Sequence, residues 1–110
     1  MTPGGLRTRT AALFATLWLT AGCAARIPLP RTTDAAAAQA SWPGTSTADL
    51  ERGRRVYVVR CGGCHLAHVP GERRPHDWPA LVDKMAERAK LSTAERTDVV
   101  RYLSVMSEPH

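Results

Sequence analysis

A chain of 110 residues with a formal charge of +5 has room for one domain and few further segments. Arg7 and Arg9 carry part of that charge and every acidic residue lies beyond them, so the remainder is only mildly basic. No basic patch interleaved with aromatics is present, which argues against nucleic acid as a partner; a weakly positive surface suits docking to an acidic protein instead.

Residues 1–22 read as an export signal. Arg7 and Arg9 precede a short apolar run from Thr10 to Thr20 that contains Leu13, Phe14, Leu17, Trp18 and Leu19. The run is too short to span a bilayer in the mature protein. It ends in Leu19-Thr20-Ala21-Gly22-Cys23, which resembles the lipobox of bacterial lipoproteins, with Thr20 where that motif usually has a large aliphatic residue. The resemblance implies that Cys23 is lipidated and becomes the new N-terminus. Ala24 rather than Asp after it implies the outer membrane. Cleavage near Ala25, releasing a soluble protein, is the alternative. Lipid chains would hold the protein at the surface of the cell envelope without spanning it.

From residue 23 to 47 the composition is Ala, Pro, Thr and Ser with scattered Arg, and no apolar periodicity stands out. This stretch is expected to be a flexible tether, with Trp42 unexplained. Residues 48–110 are expected to form an all-α domain of three to four helices. The first helix runs from Ala48 to Arg60, with Thr47 as N-cap and Leu50, Gly53, Tyr57 and Val58 on one face. The second spans about Asp77 to Lys90, with Trp78, Leu81, Val82, Met85 and Ala89 forming an apolar stripe; Pro79 confines its start to the first turn. The third opens on the capping box Ser92-Thr93-Ala94-Glu95 and runs to about Ser107, burying Val99, Tyr102, Leu103 and Met106.

Ordering about 60 residues at ~1.5 kcal/mol each costs on the order of 90 kcal/mol, which so small a core barely matches. Such a unit needs a staple, a metal or a large apolar prosthetic group. Cys61-Gly62-Gly63-Cys64-His65 is C-x-x-C-H, the attachment signature of c-type haem. Each thiol adds to one vinyl group, and the histidine beside the second thiol supplies an iron ligand. A structural disulfide would not require His65. A thioredoxin-like dithiol would follow a strand, and no such pattern precedes Cys61. Zinc held by Cys61, Cys64, His65 and His68 has suitable ligand types, but adjacent Cys64 and His65 make a poor tetrahedral chelate.

The 48–107 region resembles class I cytochrome c. Gly53 and Tyr57 match the Gly-x-x-x-aromatic of that family's N-terminal helix, and Tyr102-Leu103 match the aromatic-Leu pair of its C-terminal helix. Trp78, Val82 and Met85 fit a W-x-x-x-V-x-x-M pattern of small bacterial members. The resemblance implies one covalent haem c on Cys61 and Cys64, with His65 and Met85 as axial ligands of the iron. His76 is the rival to Met85; His68, Met106 and His110 are weaker choices. It also implies that the Pro70 carbonyl accepts a hydrogen bond from the axial histidine. Arg73 and Arg74 could face the propionates, although solvated charge is their simpler role.

The expected function is one-electron transfer between unidentified redox partner proteins by a lipid-anchored, periplasm-facing carrier that is not itself an enzyme. Two alternatives stay open: a haem sensor or peroxidase-like protein with an open sixth site, and a non-haem dithiol or metal-binding lipoprotein.

Overall fold

In a computed structural model the described residues are 27–62 and 68–109; the signal, the lipidation candidate Cys23, the motif residues Cys64 and His65, and His110 lie outside them. Four α-helices and several single turns make up these residues, and no strand occurs among them.

The chain enters through an extended Ile27–Pro30 segment that leads into α1 (Thr32–Ala38). Pro28 and Pro30 favour this extended entry. The Asp34 carboxylate accepts the Arg31 backbone N–H at 2.6 Å and closes the start of α1. Ala35 and Ala38, one turn apart, face inward. Gln39 then ties the following loop shut, donating to the carbonyls of Ala35 (3.2 Å) and Thr45 (2.6 Å) and accepting the Gly44 N–H (2.8 Å). Gly44 turns the chain at φ 81°, a left-handed conformation that suits glycine. Trp42 packs against the core with the Arg101 guanidinium 5.6 Å from its ring centre.

Over residues 27–47 this corrects the expectation of a flexible tether spanning 23–47. Ile27 is 1% exposed and belongs to one core cluster with Leu50, Tyr102 and Leu103. Arg54 Nε donates to the Ile27 carbonyl at 3.0 Å, and the Tyr102 hydroxyl donates to the Pro28 carbonyl at 2.6 Å. The folded unit therefore begins by residue 27, not 48. Alanine-rich composition hides such packing because methyl groups show little periodic contrast, while polar anchors on distant helices supply the attachment.

Ser46, one residue earlier than expected, caps α2 (Thr47–Val56): its Oγ accepts the Asp49 N–H at 3.1 Å while Asp49 accepts the Ser46 N–H at 2.8 Å. The helix loosens into one π turn over Tyr57–Cys61, closed by Gly62 N–H donating to the Tyr57 carbonyl at 3.2 Å. Two short 3-10 turns, Pro70–Glu72 and Pro75–Asp77, each start on proline and lead into α3 (Trp78–Ala86). Leu91 N–H returns to the Ala86 carbonyl at 2.9 Å around Lys90 at φ 53°, a left-handed helix cap. The capping box of Ser92 and Glu95 opens α4 (Thr93–Met106) as expected, with Ser92 Oγ accepting Glu95 N–H at 3.1 Å and Glu95 accepting Ser92 N–H at 2.9 Å.

The α2 and α4 helices make the most extensive contact in the molecule. Their crossing depends on Gly53. A Cβ there would stand 2.2 Å from the Asp98 carbonyl oxygen and 2.8 Å from Tyr102 Cβ. Leu50, Val99, Tyr102 and Leu103 fill the surrounding core.

Candidate functional site

Tyr57 organises the ends of the C-x-x-C-H segment. Its carbonyl accepts the Gly62 N–H, and its hydroxyl donates to the His68 carbonyl at 2.7 Å. Both flanks of residues 63–67 are thus tied to one side chain and its own backbone. Burial is the main reason the Tyr57 hydroxyl is pushed up to about 12, followed by the negative charge that Cys61 can carry nearby. Tyr57 therefore stays a hydrogen-bond donor across the physiological range.

Trp78 secures the exit of the loop. Its ring meets Tyr57 edge-on, with centroids 6.3 Å apart and planes at 77°. Its Nε1–H donates to the Pro70 carbonyl at 3.3 Å and to Ser107 Oγ at 2.5 Å. The Pro70 carbonyl, expected to face the axial histidine, thus already accepts from Trp78 and also from the Arg73 N–H at 3.2 Å, so both of its lone pairs have donors. Sequence reasoning placed Tyr57 and Trp78 on packing stripes and missed both roles, which depend on hydrogen bonds across the loop rather than on periodicity.

Cys61 is the last residue of the π turn and is half-buried. Beside it, Arg60 donates to the carbonyls of Ala89 (3.2 Å) and Lys90 (3.4 Å), and its guanidinium lies 3.6 Å from Glu95. Arg60 thereby holds the chain end of α3 beside the end of the motif helix.

Met85 lies on α3 and is 49% exposed, whereas Trp78 and Val82 on the same stripe are buried. Val59, two residues before Cys61, is another large exposed apolar side chain. Neither side chain is consumed by the core. His76, the rival ligand, sits in the second 3-10 turn with its side chain 68% exposed and 3.5 Å from Asp77. His68 Nδ1 lies 3.0 Å from Glu72, and Met106 packs against the core. Arg73 is exposed; Arg74 pairs with Asp77 at 3.2 Å, and this hydrogen bond holds the Asp77 carboxyl below its usual value.

Cys61 offers a thiol at a helix end and Met85 a thioether on α3 left outside the core, donor types that suit a haem c. Among the described residues, no group of three or more His, Cys, Asp or Glu could hold a metal ion, and no helix is long and apolar enough to cross a membrane. No protein-family model, curated protein or solved structure matches the chain.

Proposed function

We propose that this protein is an electron carrier with one covalent haem c, anchored to the cell envelope through Cys23 and facing the periplasm. When bound, haem supplies one-electron chemistry at its iron. Cys61 and Cys64 would hold it through thioether bonds, and His65 and Met85 would fill the two axial positions. The observation that carries the reading is the double attachment of the C-x-x-C-H flanks to Tyr57. These two bonds fix Gly62 and His68 on either side of residues 63–67 and leave Cys61 at the close of the π turn, where the first thioether bond would form. Trp78 and Arg60 extend this frame to Pro70 and to the end of α3. With His65 and Met85 both serving as iron ligands, the protein would leave no site open for substrate and would work by binding redox partner proteins.

The test is an absorption spectrum and intact mass of protein matured with the haem-attachment machinery. The expected product is coloured and one haem heavier, with a low-spin ferric spectrum and a far-red sulfur-to-iron band. Colourless material with the mass of bare peptide overturns the proposal. A high-spin ferric spectrum favours the open-site sensor or peroxidase reading instead. In Cys64→Ser, full two-point attachment is expected to be lost.

A further inference from the structure

Cys23 and Ile27 are separated by only Ala24, Ala25 and Arg26. Ile27 is buried, and its carbonyl and that of Pro28 are fixed by Arg54 and Tyr102, residues of the two helices that form the central crossing. A fully extended path from Cys23 to Ile27 reaches ~14 Å, whereas an unstructured arm to Thr47 would reach ~80 Å. A lipid on Cys23 would thus hold the domain on a short leash.

The entry segment also presents a suitable surface. Ile27 and Pro30 face the core, while Leu29 between them is 67% exposed and the Arg31 side chain is equally open at 67%. The prolines on either side of Leu29 restrict the backbone that displays it. An exposed apolar side chain two residues before Arg31, whose guanidinium reaches Asp34 at 3.5 Å and is otherwise open, has the chemistry of an interfacial contact, the leucine among acyl chains and the cation near anionic headgroups.

We propose that the outward side of the entry segment, formed by Leu29 and Arg31, lies against the lipid surface, so that the domain is seated on the membrane and not suspended above it. This rests on the reading of Cys23 as the lipidated residue. The occupant is a bilayer carrying anionic headgroups. The consequence is a restricted reach: redox partners must present their electron-exchange surface close to the membrane plane.

The test is neutron reflectometry on the mature, haem-loaded full chain reconstituted in supported bilayers of phosphatidylethanolamine and phosphatidylglycerol. Intact mass first establishes whether Cys23 carries acyl chains. Absence of acyl chains overturns both the anchor and the seating. With acyl chains present, protein density is expected to begin at the headgroups without a hydrated gap. Inserting 20 Gly/Ser residues between Arg26 and Ile27 is expected to move the layer outward by about 25 Å. Leu29→Glu is expected to tilt or lift the layer while the haem spectrum stays unchanged. An acylated wild type whose protein density is separated from the headgroups by a hydrated gap overturns the seating and leaves the anchor standing. An unchanged profile in Leu29→Glu overturns the proposed membrane face.

Discussion

Gly53 is the residue on which the helix crossing turns. Its missing side chain lets the Asp98 carbonyl approach to where a Cβ would be 2.2 Å away, and the obstructing atom is backbone that cannot rotate aside. Gly53→Ala is therefore expected to destabilise the folded protein by about 3 kcal/mol, despite the better helix propensity of alanine. Denaturant titration of the holoprotein checks this; a change below 1 kcal/mol, roughly the propensity gain, would contradict the close crossing. Met85 makes the opposite case. Because it is half-exposed, Met85→Ala removes only about 1 kcal/mol of burial, where a core methionine would cost about 2–5 kcal/mol. The expected outcome is loss of the far-red band and a lower potential with helix content unchanged by circular dichroism. An unchanged spectrum would move the ligand assignment to His76 or Met106.

At the scale of elements, helix ends control much of the expected response to acid and to substitution. Asp49 is held well below its ordinary 3.8, first by the Ser46 backbone N–H and then by Arg52; Glu95 is lowered by the Ser92 N–H. A depressed folded-state value means that the stabilisation is present above the ordinary carboxylate range and is lost as pH falls toward the depressed value. The melting temperature should therefore drop between about pH 5 and pH 2, and Asp49→Asn should make that drop shallower. Lys90 occupies the left-handed cap of α3 at φ 53° and is exposed, so Lys90→Gly should stabilise by about 0.5–1 kcal/mol. Thermal unfolding reads both effects. The capping chemistry was legible in the sequence where hydroxyl and carboxylate stand three apart. Ser92 and Glu95 were read that way; Ser46 and Asp49 have the same spacing, but the adjacent hydroxyl of Thr47 drew the α2 cap one residue too far. The stripe of α4 was legible for the same local reason, with Val99, Tyr102 and Leu103 buried as expected. The π turn before Cys61 and the cap at Lys90 were not, since both follow from how chain ends are held by other elements.

Over the whole molecule, the main consequence is that the N-terminal segment is part of the core. Its contribution was illegible because no single stretch encodes it: Ile27 stands before Pro28, the alanines of α1 lie between Pro30 and Pro43, and the carbonyls of Ile27 and Pro28 are held by Arg54 and Tyr102, 27 and 74 residues away. Of the candidate site, C-x-x-C-H was readable from spacing alone, while the role of Tyr57 in tying its flanks needed the fold. The decisive substitution for the segment is Ile27→Ala. In a flexible tether it would change stability by no more than about 0.5 kcal/mol, as for other exposed positions. In the packed core, removing three carbons from a side chain 1% exposed should cost about 2–4 kcal/mol. Tyr102→Phe, which keeps the ring and removes the hydroxyl that donates to Pro28 and hydrogen-bonds Arg54, should cost about 1–2 kcal/mol. Measured by urea titration of haem-loaded protein beginning at Ala24, the two losses should partly overlap in the double variant. Both residues fix the same segment, so once one hold is released the other has less packed structure left to lose.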